Sequence, residues 1–213
     1  MASTVDICNL ALAHLGDEAT VSSISPPDGS AQADHCKRFY PIARDALLEE
    51  VAWNFATRRG VLAETANTPP DAWAYEYAFP GSCLRIQAIL DSSGDEGAPQ
   101  DYMQGTDATG ARVIWTNTED ATVLYTHAVT DTTKFSGLFV TSLSYLLASY
   151  LAGPITRDPS VKKSMYQAYM TELGKAGVSD AKANKNPATG VAPWISARGV
   201  LDSIYEADGR IIR

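Results

Sequence analysis

Hydrophobic residues recur every three or four positions along residues 30–59, the stretch around which the rest of the chain is organised. This spacing is typical of an amphipathic helix, with an apolar stripe formed by Ala33, Cys36, Phe39, Tyr40, Ala43, Leu47 and Val51. Ser30 follows a turn at residues 26–29 and is the predicted N-cap. Pro41 lies inside the pattern and lacks a backbone donor, so it predicts a kink near residues 39–40. The pattern predicts one bent helix of about thirty residues, with Trp53 and Phe55 near its end.

Three other segments carry helical patterns. Residues 4–16 can be capped by Ser3 or Thr4 and ended by Gly16. Residues 134–151 follow a possible cap at residues 131–133 and are predicted to end at Gly153–Pro154. A last helix is predicted over residues 160–182. The most apolar run, residues 138–152, is too short and too rich in serine and threonine for a membrane span, so we expect a buried helix.

Between these helices the hydrophobic period changes from three or four to two. Aromatic residues alternate along residues 72–79, which is typical of a strand, and residues 83–90 form a second strand after a turn at Pro80–Gly81. Residues 91–100 read as an exposed loop, and residues 111–116 and 121–129 as a further strand pair. Isolated hairpins are marginally stable, so we expect this small antiparallel β unit to pack on the helices or on a neighbouring chain.

These patterns predict an α+β fold with three parts. Residues 1–71 and 131–184 form a discontinuous helical bundle with a kinked long helix, and residues 72–130 form the inserted antiparallel β unit. Residues 185–213 hold apolar side chains without a long period, so we interpret them as an extended C-terminal arm that packs on its own bundle or on another subunit.

The charge is acidic and unevenly distributed. The chain has 17 basic and 25 acidic residues, a net charge of −8. The net charge is −4 over residues 1–70, −8 over residues 71–131 and +4 over residues 132–213. An acidic surface does not bind phosphate backbones by counterion release, but it can repel passing DNA. Either the asymmetry is ordinary solvated surface, or the two ends of the molecule face different partners.

Cysteine and histidine indicate no metal or redox chemistry. Cys8, Cys36 and Cys83 are scattered and lack CxxC spacing, so neither a disulfide framework nor a zinc site is predicted, and synthesis in a reducing cytoplasm is expected. The three histidines, His14, His35 and His127, lie on three different elements. From the scattered cysteines and histidines we expect no cofactor.

The N-terminus has no basic region of the kind that begins a signal peptide, so we do not expect one.

The carboxylates at residues 45–50 are the one cluster with catalytic potential. Asp45 and Glu49 are four residues apart on one helix face, with Glu50 beside them. Such a pair could supply the acid and the base or nucleophile of glycoside hydrolysis. The nearby Arg38 and Arg44 are equally consistent with a solvated charged face. Because the sequence contains neither a GxSxG elbow nor a phosphate-binding loop, we expect a structural protein.

Several segments, in their order and spacing, resemble the tail tubular protein A family, the head-to-tail adaptors or gatekeepers of short-tailed bacteriophages. The segments are ICNLALAHLG, RFYPIARDALLEEVAWNFATRR, YEYAFPGSCLRI and VLYTHAVTDTTKFSGLFVTSLSYLLASYLAGPIT. The most telling pieces are residues 39–59 and the segment 131–156 with its LAGPIT end. The resemblance covers roughly residues 5–180, and PWISARG in the tail is also similar.

The resemblance implies a ring, commonly of twelve copies, between the portal protein and the tail nozzle protein in the neck of the virion. Genomic DNA would pass through the lumen without specific binding, and no membrane partner is expected. An apolar arm suits docking on the portal or on a neighbouring subunit. We expect that interface at Pro193, Trp194, Ile195, Arg198, Leu201, Ile204 and Tyr205.

Two other functions stay open at this point. Some related adaptors are described as peptidoglycan hydrolases, for which Asp45, Glu49 and Glu50 are the candidate catalytic residues. A generic cytoplasmic helical binding protein is the third possibility, and it predicts a monomer under every condition, including with the portal present.

Overall fold

The computed structural model describes residues 2–70 and 72–183, which form a mixed α+β fold and confirm the predicted class. The helices are α1 (Thr4–His14), α2 (Ala31–Glu50), α3 (Gly137–Thr156) and α4 (Pro159–Ala183). The strands are β1 (Thr57–Val61), β2 (Tyr75–Ala78), β3 (Cys83–Leu90), β4 (Tyr102–Thr106), β5 (Arg112–Thr116) and β6 (Thr122–His127). The described residues up to Ala181 belong to one compact unit. The predicted arm, including all seven expected interface residues, lies outside the described residues.

Local capping signals place the starts of the first two helices. The Ser3 hydroxyl accepts a hydrogen bond from the Asp6 backbone N–H at 3.1 Å, and the Asp6 carboxylate accepts one from the Ser3 N–H at 2.8 Å. This reciprocal pair is a capping box. Ser30 caps α2 through the Ala33 N–H at 3.1 Å. Gly16 has a φ of +74°, the left-handed conformation that follows a helix end.

The long helix is shorter than predicted. α2 continues through Pro41 but ends at Glu50, and Val51 is extended. The prediction that the helix includes Trp53, Phe55 and Arg59 is wrong, because residues 57–61 form β1 and pair with β6. The strand partner lies more than sixty residues away, so tertiary pairing overrides the local helical pattern. The kink at residues 39–40 stays a prediction.

α3 is the core helix of the bundle, and ten of its residues are buried. It starts at Gly137 with Ser136 as its cap, and residues 132–134 form a separate 3-10 turn. The predicted stop at Gly153–Pro154 is wrong, since the helix runs to Thr156. There Arg157 adopts a left-handed φ of 53° and donates its N–H to the Ala152 carbonyl at 3.2 Å. By length and composition this twenty-residue helix could span a bilayer, since an 18-residue window within it has a mean hydropathy of 1.5, so the expectation that the apolar run is too short is wrong. Within that window 56% of the residues are buried.

The β strands form two three-stranded antiparallel sheets, ordered β1-β6-β3 and β2-β5-β4. The predicted pairing of residues 111–116 with 121–129 is wrong, because β5 and β6 belong to different sheets. β2 and β3, on either side of Pro80–Gly81, are likewise in different sheets. Tyr77 and Ile114 of one sheet share a hydrophobic core with Ile86, Ile89 and Val123 of the other. The alternating patterns therefore predict the strands, but the shared core decides how they pair.

Two boundaries of the β unit also differ from the prediction. β1 lies before residue 72, inside the segment predicted to belong to the helical bundle. β4 was not predicted, and it includes Gly105 and Thr106 of the GTDATG turn, so only residues 107–110 make the turn between β4 and β5.

α4 attaches to the bundle through one narrow face. Its buried side chains are Tyr169, Leu173 and Ala176. The Tyr169 hydroxyl donates to a Glu50 carboxylate oxygen at 2.5 Å. Near the other end of the helix, an Asp180 carboxylate oxygen accepts the Asn54 backbone N–H at 2.9 Å. The opposite face of α4 is exposed.

Candidate functional site

The predicted catalytic carboxylates have structural partners. Asp45 forms an ion pair with Arg44, with 2.7 Å between Nη2 and Oδ1, and Glu50 accepts the bond from Tyr169. Arg85 donates to the backbone carbonyls of Glu49 and Glu50 at 2.8 and 3.3 Å, which satisfies acceptors at the C-terminus of α2. Glu49 itself is exposed. The Glu50 side chain thus joins α2 to α4, and the carbonyls of Glu49 and Glu50 join α2 to β3. The two pockets described below are lined by other residues.

A buried carboxylate that the sequence analysis did not identify lies in the β unit. Glu76, in the middle of β2, is only 4% exposed. One of its oxygens accepts hydrogen bonds from the Thr65 hydroxyl at 2.7 Å and the Asn67 amide at 2.8 Å. The other accepts the Trp115 indole N–H at 2.7 Å. All three partners are neutral donors, and no ion pair to Glu76 is formed within the described residues.

The backbone holds these donors in place. Glu76 and Trp115 are register partners across β2 and β5, and Met103 of β4 pairs with Trp115 on its other side. Residues 63–65 run along the free edge of β2, where the Thr65 N–H donates to the Glu76 carbonyl at 2.9 Å. The sequence offered one sign of this site, because Glu76 is the single charged residue within the aromatic alternation AWAYEYAF. The hydrogen-bond donors to Glu76, however, lie up to 39 residues away along the chain.

Two opposing effects act on the pKa of Glu76. Burial raises it, because desolvation disfavours the charged form. The hydrogen bonds from Trp115, Asn67 and Thr65 lower it and together prevail, so the pKa lies below its ordinary value. Glu76 is therefore an ionised clamp between the loop at residues 65–67 and the sheet. It does not have the raised pKa that a general acid needs at neutral pH.

An open pocket of about 430 Å³ lies beside this clamp. Its lining combines the apolar side chains of Pro69, Pro70, Ala108 and Trp115 with polar side chains at residues 67, 68, 106 and 107. The lining includes the carboxylates of Glu76 and Asp107 but no lysine or arginine. A second pocket, of about 460 Å³, is a shallow surface depression between Asp34, Lys37 and Arg38 of α2.

The Trp115 ring leaves no room for a side chain at residue 105. A Cβ built on Gly105 would approach Trp115 Cη2 at 2.2 Å, whereas one on Gly60 meets no atom within 4 Å. We expect Gly105→Ala to displace the indole from Glu76 and to lower the free energy of unfolding by about 1–3 kcal/mol. Urea denaturation measures this, with Gly60→Ala as the matched control. Equal stability of the two variants would contradict the close packing of Trp115 on β4.

The surface of the β unit is strongly acidic. Residues 72–130 contain eight acidic and two basic residues, a net charge of −6. The exposed carboxylates are Asp95, Glu96, Asp101, Glu119 and Asp120. Among the described residues only Glu96 of this set forms an ion pair, with Arg59. The arrangement repels polyanions and does not resemble a nucleic-acid binding surface.

Histidine and cysteine are used structurally. The His14 ring stacks on Tyr145 at 4.0 Å, and its Nε2 lies 3.1 Å from the Ser144 hydroxyl. All three cysteines are buried free thiols, and a hydrogen bond with Cys36 together with burial raises the pKa of Cys8. Within residues 2–70 and 72–183, no three histidine, cysteine or acidic side chains come together as a metal site.

Comparison with protein-family models finds no match to this chain. Comparison with curated proteins finds no match either.

Proposed function

We propose that this chain is a structural head-to-tail adaptor of a short-tailed bacteriophage. Copies of the chain form a ring, commonly of twelve, between the portal protein and the tail nozzle protein, and DNA passes through its lumen. The protein acts in the neck of the virion after synthesis in the bacterial cytoplasm, and it has no reaction of its own.

The observation that carries this proposal is the position of the segment most similar to the adaptor family. Of residues 39–59, those buried in the main core are Tyr40, Ala43, Leu47, Leu48, Trp53 and Ala56. These residues join α2 to α1 and α3, and the described pockets lie elsewhere. Because the similar residues build a scaffold, the resemblance concerns architecture, which is the property that an adaptor needs.

The charge of the β unit supports a DNA channel. Its net charge of −6 and exposed carboxylates would repel the phosphate backbone, so DNA could slide past without being held. A basic lumen would instead bind DNA by counterion release.

The hydrolase alternative is less well supported. Asp45 is paired with Arg44, and Glu50 accepts a hydrogen bond from Tyr169, so two of the three candidate carboxylates already have a role in the fold. Glycoside hydrolysis needs an acid and a base flanking a cleft that admits the sugar. Degradation of peptidoglycan by the purified chain, abolished by Glu49→Gln or Glu50→Gln, would contradict the adaptor proposal.

Electron microscopy of the full chain mixed with purified portal rings tests the proposed function. We expect a second ring, stacked coaxially on the portal.

The apolar arm can be tested by truncation. A chain truncated after Asn184 should keep the helical circular dichroism of the bundle but bind the portal at least about tenfold more weakly, because the apolar arm is missing. Absence of any complex with the full chain would refute the proposal, and equal binding by the truncated chain would remove the arm from the interface.

A further inference from the structure

The exposed face of α4 carries a row of apolar residues that no other element within residues 2–70 and 72–183 covers. Tyr166, Met170, Gly174 and Val178 follow one another at intervals of four residues. The three side chains are 50%, 46% and 57% exposed. Residues four apart form a ridge along a helix, and such ridges pack into grooves of a neighbouring surface. We call these four residues the α4 ridge.

The α4 ridge differs from ordinary scattered surface hydrophobics. Isolated exposed apolar residues are normal, but a continuous row is typical of an interaction surface. The row extends for about 18 Å along the helix. In its middle, a Cβ on Gly174 would meet no atom within 4 Å, so the ridge has an open notch between Met170 and Val178.

The charges beside the ridge are positive. Lys162 and Lys163 are exposed one turn before Tyr166, and none of the ion pairs formed within the described residues includes them. The ridge itself contains no carboxylate. A partner surface should therefore be apolar, concave and acidic.

The pocket beside Glu76 has these three properties. Its apolar walls are Pro69, Pro70 and Trp115, and its charged members are the carboxylates of Glu76 and Asp107. Its volume of about 430 Å³ lies within the range of pockets that enclose ligands much larger than one aromatic side chain. Exposed Met103, on the neighbouring strand, extends the apolar surface beyond Trp115.

We propose that the α4 ridge of one copy docks into the Glu76 pocket of a second copy, with Tyr166 as the anchor and Lys163 facing Asp107. Two different surfaces meet in this contact, so it is heterologous and adds subunits head to tail, which generates a ring when the rotation closes. As the contact between ring neighbours it rests on the proposed function, but it requires only self-association of this chain.

Sedimentation velocity of the full chain, over a concentration series reaching about 1 mM, measures the contact. We expect concentration-dependent association of the wild-type chain. Met170→Glu and Ala108→Lys should each weaken it by at least about tenfold, the first by burying a charge and the second by repelling Lys163. Ser179→Glu introduces the same negative charge at an exposed position of α4 off the ridge, and it should leave the association unchanged.

Charge reversal makes the test specific for these two surfaces. Lys163→Glu alone should weaken association because it places a carboxylate against Asp107. Combined with Ala108→Lys in one chain, it should restore association to within about threefold of wild type, because every contact then pairs the new Glu with the new Lys. Failure of the double variant to recover would overturn the proposed pairing.

Cysteine cross-linking distinguishes the possible occupants. Since the three native cysteines are buried, oxidation of an Ala108→Cys/Met170→Cys chain should give a ladder of oligomers, and neither single variant should cross-link. Dimers formed by Met170→Cys alone would show that two α4 helices pair, and would overturn the proposal. A monomer at every concentration, or association unaffected by Met170→Glu, would also overturn it.

These outcomes separate this inference from the proposed function. A chain that binds the portal but shows no ladder refutes the ridge contact and leaves the adaptor role standing. A chain that forms the ladder but ignores the portal refutes the adaptor role and leaves the ridge contact standing.

Discussion

Trp53→Ala lowers the free energy of unfolding by about 3–5 kcal/mol, the largest effect that we expect from one substitution in the bundle. Trp53 is fully buried, and its ring meets Phe139 of α3 edge-on with centroids 5.0 Å apart. Its indole N–H donates to the Leu47 carbonyl at 2.9 Å. Truncation leaves a cavity between α2 and α3 and removes the donor from a carbonyl in the last turn of α2.

Urea denaturation followed by far-ultraviolet circular dichroism measures this loss. Trp53→Phe keeps most of the side-chain volume and loses the hydrogen bond, so it should lower the free energy of unfolding by less than Trp53→Ala does. It provides a folded variant for the measurement if Trp53→Ala does not fold. Trp73→Ala is the matched control, because Trp73 is only half-buried, and it should cost less than about 1.5 kcal/mol. Similar losses for Trp53→Ala and Trp73→Ala would contradict the central position of Trp53.

Glu76→Gln destabilises the β unit by about 1–3 kcal/mol at neutral pH. The carboxylate accepts bonds from Thr65, Asn67 and Trp115. A glutamine amide offers one acceptor oxygen and turns its NH₂ group toward donors, so at least one buried donor loses its partner. The substitution should therefore loosen the loop at residues 65–67 from the sheet.

The same substitution changes the pH dependence of stability. Folding lowers the pKa of Glu76 from its ordinary value of 4.5, so the native state favours the ionised form. The resulting stabilisation is complete above the unfolded pKa and is lost as the pH falls through the lower folded pKa. Glu76→Gln should remove this part of the acid sensitivity and so flatten the stability curve below about pH 4.5.

Urea midpoints measured at several values between pH 2 and pH 7 test both effects. Glu119→Gln is the control. It removes the same charge as Glu76→Gln, but at a residue that is exposed in the loop between β5 and β6. An unchanged midpoint for Glu76→Gln at neutral pH would show that the three hydrogen bonds do not stabilise the fold. An acid slope equal to that of wild type would show that folding does not shift the pKa of Glu76.

Features that depend on neighbouring residues could be predicted from the sequence. Ser30 was predicted as a cap, and Ser3 was one of two candidates beside Thr4, because the hydrogen bonds of a cap reach only three residues along the chain. Strand β3 was predicted with its observed bounds, and the buried core helix α3 was recognised by its apolar composition. Hydrophobic pattern was sufficient here because the buried positions of a helix or a strand are close to one another along the chain.

The candidate sites were less predictable. Asp45, Glu49 and Glu50 stood out because they are close in sequence. In the structure, however, Asp45 pairs with its neighbour Arg44, the Glu50 side chain bonds to α4, and the backbone carbonyls of Glu49 and Glu50 bond to β3. Glu76 did not stand out, because the residues that bury it are distant along the chain. Clustering in sequence is a poor guide to a site whose members are assembled by strand pairing.

Local sequence patterns were sufficient to predict the α+β composition, the first two helix starts, the burial of α3 and the acidic character of the β unit. Contacts between distant segments were needed to end α2 at Glu50, to separate β5 and β6 into two sheets, and to make Glu76 a buried clamp. The reason is the range of the interactions. Caps and periodic stripes act within a few residues, whereas β1 pairs with β6 and Trp115 reaches Glu76 only after the chain has folded back on itself.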